Sequence, residues 1–537
     1  MGPASRESIL GGCQHISRSG DGEIRGSQAK VWGGRGPPAS RGTLRGSSVG
    51  SSDAAEPRRQ LFREGHATLL PAQVRGEHGH RLFGLLQGSG VPAAHCRLHP
   101  RRLPGEPTGH PVRGGCALFL RPPHSGMSHL MPLPSNGPLP EFVSLHFEEA
   151  SFLWALRRRA VHASHYAFAD LERIDERIEA HLDGLRISGE AARSIIDEAL
   201  SVAGMGEIFT VAVSALDTAP AVRLLPALEL ARESEPGLEA FLAALSWLPW
   251  PRVAGVLSQL LGEEDPALRR MALAGYAAHR QDAGAALSRA LSSTDAPLRA
   301  RALQSVGEVG RRDLLSFARQ ALTSEDEACR FSAARSCALL GDKAPVPILR
   351  SLADQGGPHA AEACELAVRR MDRREAREWL MGFSERPDRF RLALLGSAAL
   401  GDTFFVPWLL RMMRMPELAR AAGESFRFIT GADLLERPLE GEAPEGFEVE
   451  DDPDAELPWP APDAVEAWWN ERKGDFHPDA RHLLGQPMTS ESLRDALRLG
   501  LQRERKAAAL ELAMRHPGQP LFDVGAPCFR QRQWLAA

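Results

Sequence analysis

Glu172, Glu176, Glu179 and Asp183 recur at i, i+4, i+7 and i+11, a spacing that lines four carboxylates along one helix face beside His181. Carboxylates converging with an imidazole are the donors of a di-iron helical bundle. That site needs Glu-x-x-His, however, and the residue three before His181 is Ile178. The pair His162-x-x-His165 adds two imidazoles with no carboxylate in register. The expectation is therefore a solvated acidic face interleaved with Arg173 and Arg177, with no metal and no cofactor. Gly46-Ser47-Ser48-Val49-Gly50 matches a nucleophile elbow as a string, but no strand pattern precedes it and no helix pattern follows. Phosphate-binding and dinucleotide glycine motifs and the zinc motif H-E-x-x-H do not occur. Cys329, Cys337, Cys364 and Cys528 are scattered without a C-x-x-C pair and read as buried, reduced apolar residues. No catalytic residue is assigned on these grounds.

The elements that must position any site follow from a change in composition near residue 127. Residues 1–126 carry 17 Lys plus Arg against 8 Asp plus Glu and show no sustained apolar period, so disorder is expected there. Met127 and Met131 stand just before the pattern becomes orderly. The expected reading of 1–126 is an upstream region translated from a misassigned start, with a basic partner-binding arm as its rival. The remaining residues carry 47 basic against 61 acidic side chains, which disfavours nucleic acid as a partner. With no long apolar run and no secretory signal pattern, no membrane span is expected and the cytoplasm is the default. The chain has 60 Arg against 4 Lys, a bias attributed here to a GC-rich coding sequence.

From Pro140 to Leu200 apolar residues recur at helical intervals, giving an expected helical cap over 127–203. Beyond it, small residues repeat at Ala212, Ala243, Ala272, Ala302, Ala333, Ala363 and Ala393, at intervals of 29 to 31 that centre on a period of 30 or 31. Pro236, Pro266, Pro297, Pro358, Pro387 and Pro416 mark unit starts, and Gly310, Gly341, Gly401 and Gly431 follow the small position by eight residues. Each unit reads as a turn, a first helix opened by Pro, a Gly stop and a second helix. The fold expected for 204–431 is thus an all-α solenoid of helix pairs. Its structural residues are Asp265, Arg269 and Ala272, then Asp295, Arg299 and Ala302, then Arg330 and Ala333. The acid opens the helix, the Ala allows close packing, and the Arg residues, with Arg420, are expected to form a ladder pairing with neighbouring acids.

The sequence Asp265-Pro266-Ala267-Leu268-Arg269, repeated with variation at Asp295 and Asp326, resembles the short HEAT repeats of the phycobilin-lyase type. The blocks His146 to Trp154, Ile174 to Arg186 and Ala507 to Phe522 occur in the order found in an uncharacterised bacterial HEAT-repeat family of about 400 residues. That resemblance covers 131–537 and implies an association with type VI secretion gene neighbourhoods, with no active-site residue to carry over. HEAT-type di-iron hydroxylases use His-Glu dipeptides, and this chain contains none.

After Gly431, residues 432–460 are strongly acidic and Pro-rich. They are read as a spacer, with docking onto a basic partner or onto the array's own Arg ladder as the rival. Trp468 and Trp469 follow in a helical stretch. Adjacent positions cannot share one helix face, so one is expected to cap the last repeat and the other to meet a partner. Residues 461–537 are expected to cap the array, with Arg505 and Ala508 in the Arg and Ala positions of one more repeat. The function expected is a non-catalytic scaffold binding a protein or peptide through Trp468, Trp469, Glu450, Asp451 and Asp452. The alternative is an enzyme or small-ligand carrier with a site in the concave groove.

Overall fold

The computed structural model describes residues 137–199, 204–218, 220–447 and 452–536. The expectations for 1–126 and for Glu450 and Asp451 fall outside the described residues. Among the described residues, 22 α-helices account for nearly all regular structure, and no helix is long and apolar enough to cross a membrane. Three helices form the N-terminal part: α1 (Pro140–Ala160), α2 (Phe168–Ser188) and α3 (Glu190–Ala199). The array follows as α4 (Met205–Thr218), α5 (Pro220–Ala231), α6 (Glu235–Trp247), α7 (Trp250–Gly262), α8 (Pro266–Ala278), α9 (Ala285–Leu291), α10 (Ala296–Val309) and α11 (Leu315–Ala321). It continues through α12 (Glu327–Leu339), α13 (Val346–Gln355), α14 (Ala360–Arg370), α15 (Arg373–Ser384), α16 (Phe390–Leu400), α17 (Val406–Met412) and α18 (Ala419–Thr430). The C-terminal part holds α19 (Pro462–Arg472), a hairpin of β1 (His482–Leu483) and β2 (Gln486–Pro487), α20 (Ser490–Leu499), α21 (Gln502–Arg515) and α22 (Cys528–Ala536).

Even-numbered helices from α4 to α18 pack each on the next and form an inner row, while α5 to α17 form an outer row, each against its neighbours. Close packing in the inner row comes from Ala212, Ala272, Ala302, Ala333, Ala363 and Ala393, all fully buried. In the second unit the register differs: Ala243 is only half-buried, and Ala240 and Ala244 fill the contact instead. Asp265, Asp295 and Asp326 are N-caps, accepting from the backbone N–H of Ala267, Leu298 and Cys329 at 2.8, 2.8 and 2.7 Å. Each such cap contributes about 1 kcal/mol by satisfying an orphan donor of the first turn. Gly310, Gly401 and Gly431 end α10, α16 and α18 in the left-handed region, and Gly341 ends the α12 unit there too, with φ between 69 and 84°.

The expected Arg ladder takes a different form. Arg269 donates to the Glu264 carbonyl, and Arg330 donates to those of Ser324 and Glu325. Arg299 lies against the Cys329 thiol at 3.3 Å. A long side chain at the first turn of a helix folds back over the preceding turn, where carbonyls are nearer than the next unit's acids. Among the described residues, Arg420 is the one of the four that forms an ion pair, with Asp452 at 2.9 Å.

Residues 490–515 do not stack beyond α18 as one more repeat. Helix α21 lies instead across the inner row, touching α12 at mid-array. Arg505 and Ala508 have the local spacing of a repeat, but Arg505 is wholly buried among the Leu497 carbonyl, Gln502 and Gln531, over the Phe168 ring.

Candidate functional site

Helix C-termini leave carbonyl groups without intrahelical partners and carry partial negative charge. In this protein the C-terminal chain supplies many of the missing donors to the inner row. The β1–β2 hairpin gives the backbone N–H of His482 to the Gly401 carbonyl at 2.7 Å, and those of Leu484 and Gly485 to Phe428 and Ile429 at 2.7 and 3.1 Å. Arg481 donates to the carbonyls of Ala399 and Leu400 at 3.0 and 2.8 Å. Further along, the Leu521 N–H meets the Glu308 carbonyl at 2.9 Å, and Arg530 donates to Ser246, Leu248 and Ala278. A charged guanidinium serves several carbonyls at once, a role its fork of donors permits.

The repeated glycines have a second purpose here. A Cβ at Gly310 would sit 2.6 Å from the Gly518 carbonyl oxygen, at Gly341 2.6 Å from Pro517, and at Gly431 2.6 Å from the Leu484 carbonyl oxygen. The same chain segment therefore needs glycine both for the positive φ and for its own approach.

The segment ends on the N-terminal helices. Arg157 of α1 and Asp175 of α2 form a buried pair, their side chains 8 and 4% exposed. Arg157 also donates to the carbonyls of Gly525 and Ala526 at 3.1 and 2.9 Å, and Asp175 accepts the Cys528 N–H at 2.7 Å. Near it the Gln502 N–H reaches the Tyr166 carbonyl at 2.8 Å. The groove along the inner row is thus crossed by the chain's own C-terminal segment, not left open along its length.

The acidic loop closes another side. Its ends pair at Glu440 and Pro460, and Asp452 and Asp454 reach Arg420 and Arg391 at 2.9 and 2.6 Å. Farther along, the Glu456 carbonyl accepts from Ser164 at 3.4 Å. Docking onto the array's own arginines describes Asp452 and Asp454 better than a spacer does. Trp468 and Trp469 both face Phe426, with ring centroids 5.7 and 6.3 Å apart, because indoles about 100° apart on a helix are long enough to converge on one ring. Trp469 is buried, and Trp468 is half-buried under Arg472.

Between the inner row, α21, residues 521–525 and the acidic loop lies a cavity of about 800 Å³. Arg301, Arg335 and Arg369 line it from successive inner helices, with no common repeat register among them. Glu308 stands between Arg301 and Arg335. Burial pushes its carboxyl up, but the two guanidinium groups outweigh that and hold it below the usual range. Arg335 reaches Glu362 at 2.8 Å, while Arg369 meets Glu365 at 3.2 Å and Glu511 of α21 at 3.5 Å. Such pairs cross-link α21 to the row beneath it.

The other candidate groups have structural partners. Glu172 pairs with Arg532 of α22, and Glu179 accepts from Trp247 and, at 3.0 Å, from Arg186. Asp183 also holds Arg186, at 2.6 Å. His181 lies 3.1 Å from His146, ring nitrogen to ring nitrogen, and burial together with the neighbouring imidazole lowers its pKa. Among the described residues no three His, Cys, Asp or Glu side chains form a metal-sized cluster. Burial raises the thiol pKa values of Cys337, to about 12, and of Cys364 and Cys528, leaving them protonated at neutral pH. Sequence reasoning missed the residues that tie the groove shut: Arg157, Asp175, Arg481 and Arg530. For the three arginines the one sequence signal is the arginine excess, and Asp175 has none.

Stacked helix pairs around one inner row define a helical-repeat protein. Residues 284–369, from α9 to the last turn of α14, match the family described as HEAT repeats. Comparison with the curated proteins gave no match.

Proposed function

We infer that this chain is a non-catalytic scaffold that binds a protein partner through the exposed end of its helical stack. The observation that carries this reading is on the first helix. Leu139, Phe142, Leu145 and Phe152 are 57, 60, 47 and 64% exposed. Phe142, Leu145 and Phe152 share one face of α1 at i, i+3 and i+10. A solenoid end is ordinarily polar, and clustered large apolar side chains mark an interaction surface. The inner row offers less room for a peptide, since the chain's own C-terminal segment occupies it. Trp468 and Asp452 form a second, weaker surface, because each spends part of its contact area on the array. The family resemblance adds a bacterial cytoplasmic setting and a secretion-related assembly to this reading.

The test compares the full chain with a Phe142→Ser/Phe152→Ser variant as baits in native lysate, after circular dichroism shows equal helicity. The expected result is a protein retained stoichiometrically by the first bait and lost from the second. Equal retention of the same proteins by both would remove α1 as the contact surface.

A further inference from the structure

The cavity under α21 is far larger than a packing defect. One water needs roughly 10–15 Å³ of such volume, and pockets for small molecules run from about 300 to 1,000 Å³; this one holds about 800 Å³. Its rim is open at His162, Ala361, Arg391 and Lys506, which are exposed. The interior is partly apolar, walled by Leu392, Leu394, Leu395, Phe428, Leu457 and Phe522.

The charges lining it do not cancel. Arg280 meets Asp523 at 3.7 Å and Arg391 meets Asp454 at 2.6 Å, while Arg301, Arg335 and Arg369 have the glutamates already described. Arg503 and Lys506 stand one turn apart on the cavity side of α21 and make no ion pair among the described residues. Deeper in, two guanidinium nitrogens, Arg335 Nη1 and Arg369 Nε, are buried without a hydrogen-bond acceptor. Both are within 4 Å of a carboxylate but not bonded to it, so their donors remain unspent. Glu424 also lines the cavity and feels the Arg503 charge, and burial raises its pKa.

We propose that this cavity binds a small amphipathic organic anion, its acidic head between Arg503 and Lys506 and its apolar body against Leu392, Leu395 and Phe428. Surplus cationic donors select against a metal ion or an ammonium ligand. The apolar wall favours a hydrocarbon or aromatic body over a bare inorganic anion, because moving apolar surface out of water is stabilising.

The probe is anilinonaphthalene sulfonate, an apolar sulfonate that fluoresces when bound, titrated into the full-length protein and displaced with decanoate or with decyltrimethylammonium. Decanoate is expected to displace it and the cation of equal chain length is not. Lys506→Glu, at an exposed position, should weaken binding, and Arg503→Glu/Lys506→Glu should weaken it by about tenfold or more, since each reversal turns an attraction into a repulsion. Leu395→Trp, which fills the cavity from a half-buried wall position without altering charge, should abolish binding while leaving helicity unchanged. Equal displacement by the two chains, or unchanged binding in both Lys506→Glu and Leu395→Trp, would overturn the proposal. So would the absence of saturable fluorescence in the wild-type protein.

Discussion

Replacing Asp175 by alanine tests whether the buried pair with Arg157 is what holds the C-terminal segment to the N-terminal helices. Asp175 accepts from Arg157 at two nitrogens, one of them at 3.2 Å, and from the Cys528 backbone N–H at 2.7 Å. Its loss leaves a guanidinium charge buried beside the Gly525 and Ala526 carbonyls and an N–H without its acceptor. Breaking a buried pair from one side costs about 3–5 kcal/mol, because the surviving charge stays desolvated. An unmade hydrogen bond to a buried donor costs about 1–3 kcal/mol and overlaps with that figure. The destabilisation expected for Asp175→Ala is therefore about 3–5 kcal/mol, read from urea unfolding. Hydrogen exchange should localise it: amides of 521–531 gain exchange in native conditions, while those of α10 and α12 do not. Arg157→Leu/Asp175→Leu should recover much of the stability, since an apolar pair leaves no uncompensated charge. A cost below about 1 kcal/mol, the range of an exposed ion pair, with unchanged exchange at 521–531 would refute the reasoning and assign closure to the remaining contacts.

Two further effects separate the forces along the same segment. His279 is buried, its Nε2–H donating to the Leu245 carbonyl at 2.9 Å, and burial, reinforced by the Arg530 charge, lowers its pKa from 6.5 to about 4. The folded protein keeps this ring neutral, so its contribution is fully present above pH 6.5 and is lost as pH falls toward 4, by up to about 3 kcal/mol. His279→Gln should lose that part of the pH dependence, seen as a smaller shift in urea midpoint between pH 7 and pH 4.5 than in the wild type; an unchanged shift would show that the ring does not titrate this way. Gly310→Ala and Gly446→Ala share a positive φ of about 80°, yet only at Gly310 does the new Cβ meet backbone, whereas Gly446 has open space. Both should lose the roughly 1–2 kcal/mol of a left-handed alanine, and Gly310→Ala should lose measurably more in thermal unfolding. Equal losses would mean that the C-terminal chain yields without cost.

The inner row was legible because its physics is local. A buried Ala, an acid cap and a Gly stop must recur wherever one helix packs closely on the next, and Asp295, Ala302 and Gly310 place all three in a single unit. Where geometry relaxes, the register slips, as at Ala243. Placement of α21 was not legible, since Arg505 and Ala508 carry the spacing of a repeat whatever surface the helix meets. Its position is set by Glu504 and Glu511 meeting Arg427, Arg369 and Arg481. Those ion pairs link residues far apart in the chain with no periodic trace. The buried contact of Asp175 with Cys528 spans 353 residues and has no local signature either. The arginine excess is the nearest clue, and its physical use is visible where Arg481 and Arg530 serve helix carbonyls and Arg157 serves those of the Gly525–Ala526 turn.

A groove crossed by its own chain changes which partners a helical array can take. An extended peptide entering along the inner row would have to displace the 481–531 segment and return the carbonyls of Ser246, Ala278, Glu308, Leu400 and Phe428 to water or to its own donors. Each exchange is near neutral taken singly, because water or a ligand can replace a backbone donor. The buried charges are different. Glu511 and Glu504 of α21 are buried against Arg369 and Arg427, and opening the groove takes those carboxylates away from the two guanidinium groups unless the incoming peptide carries carboxylates at matching places. On the proposed reading, a small ligand would enter by the rim beside Lys506, and a protein partner would use a surface that needs no displacement, the end of α1 foremost.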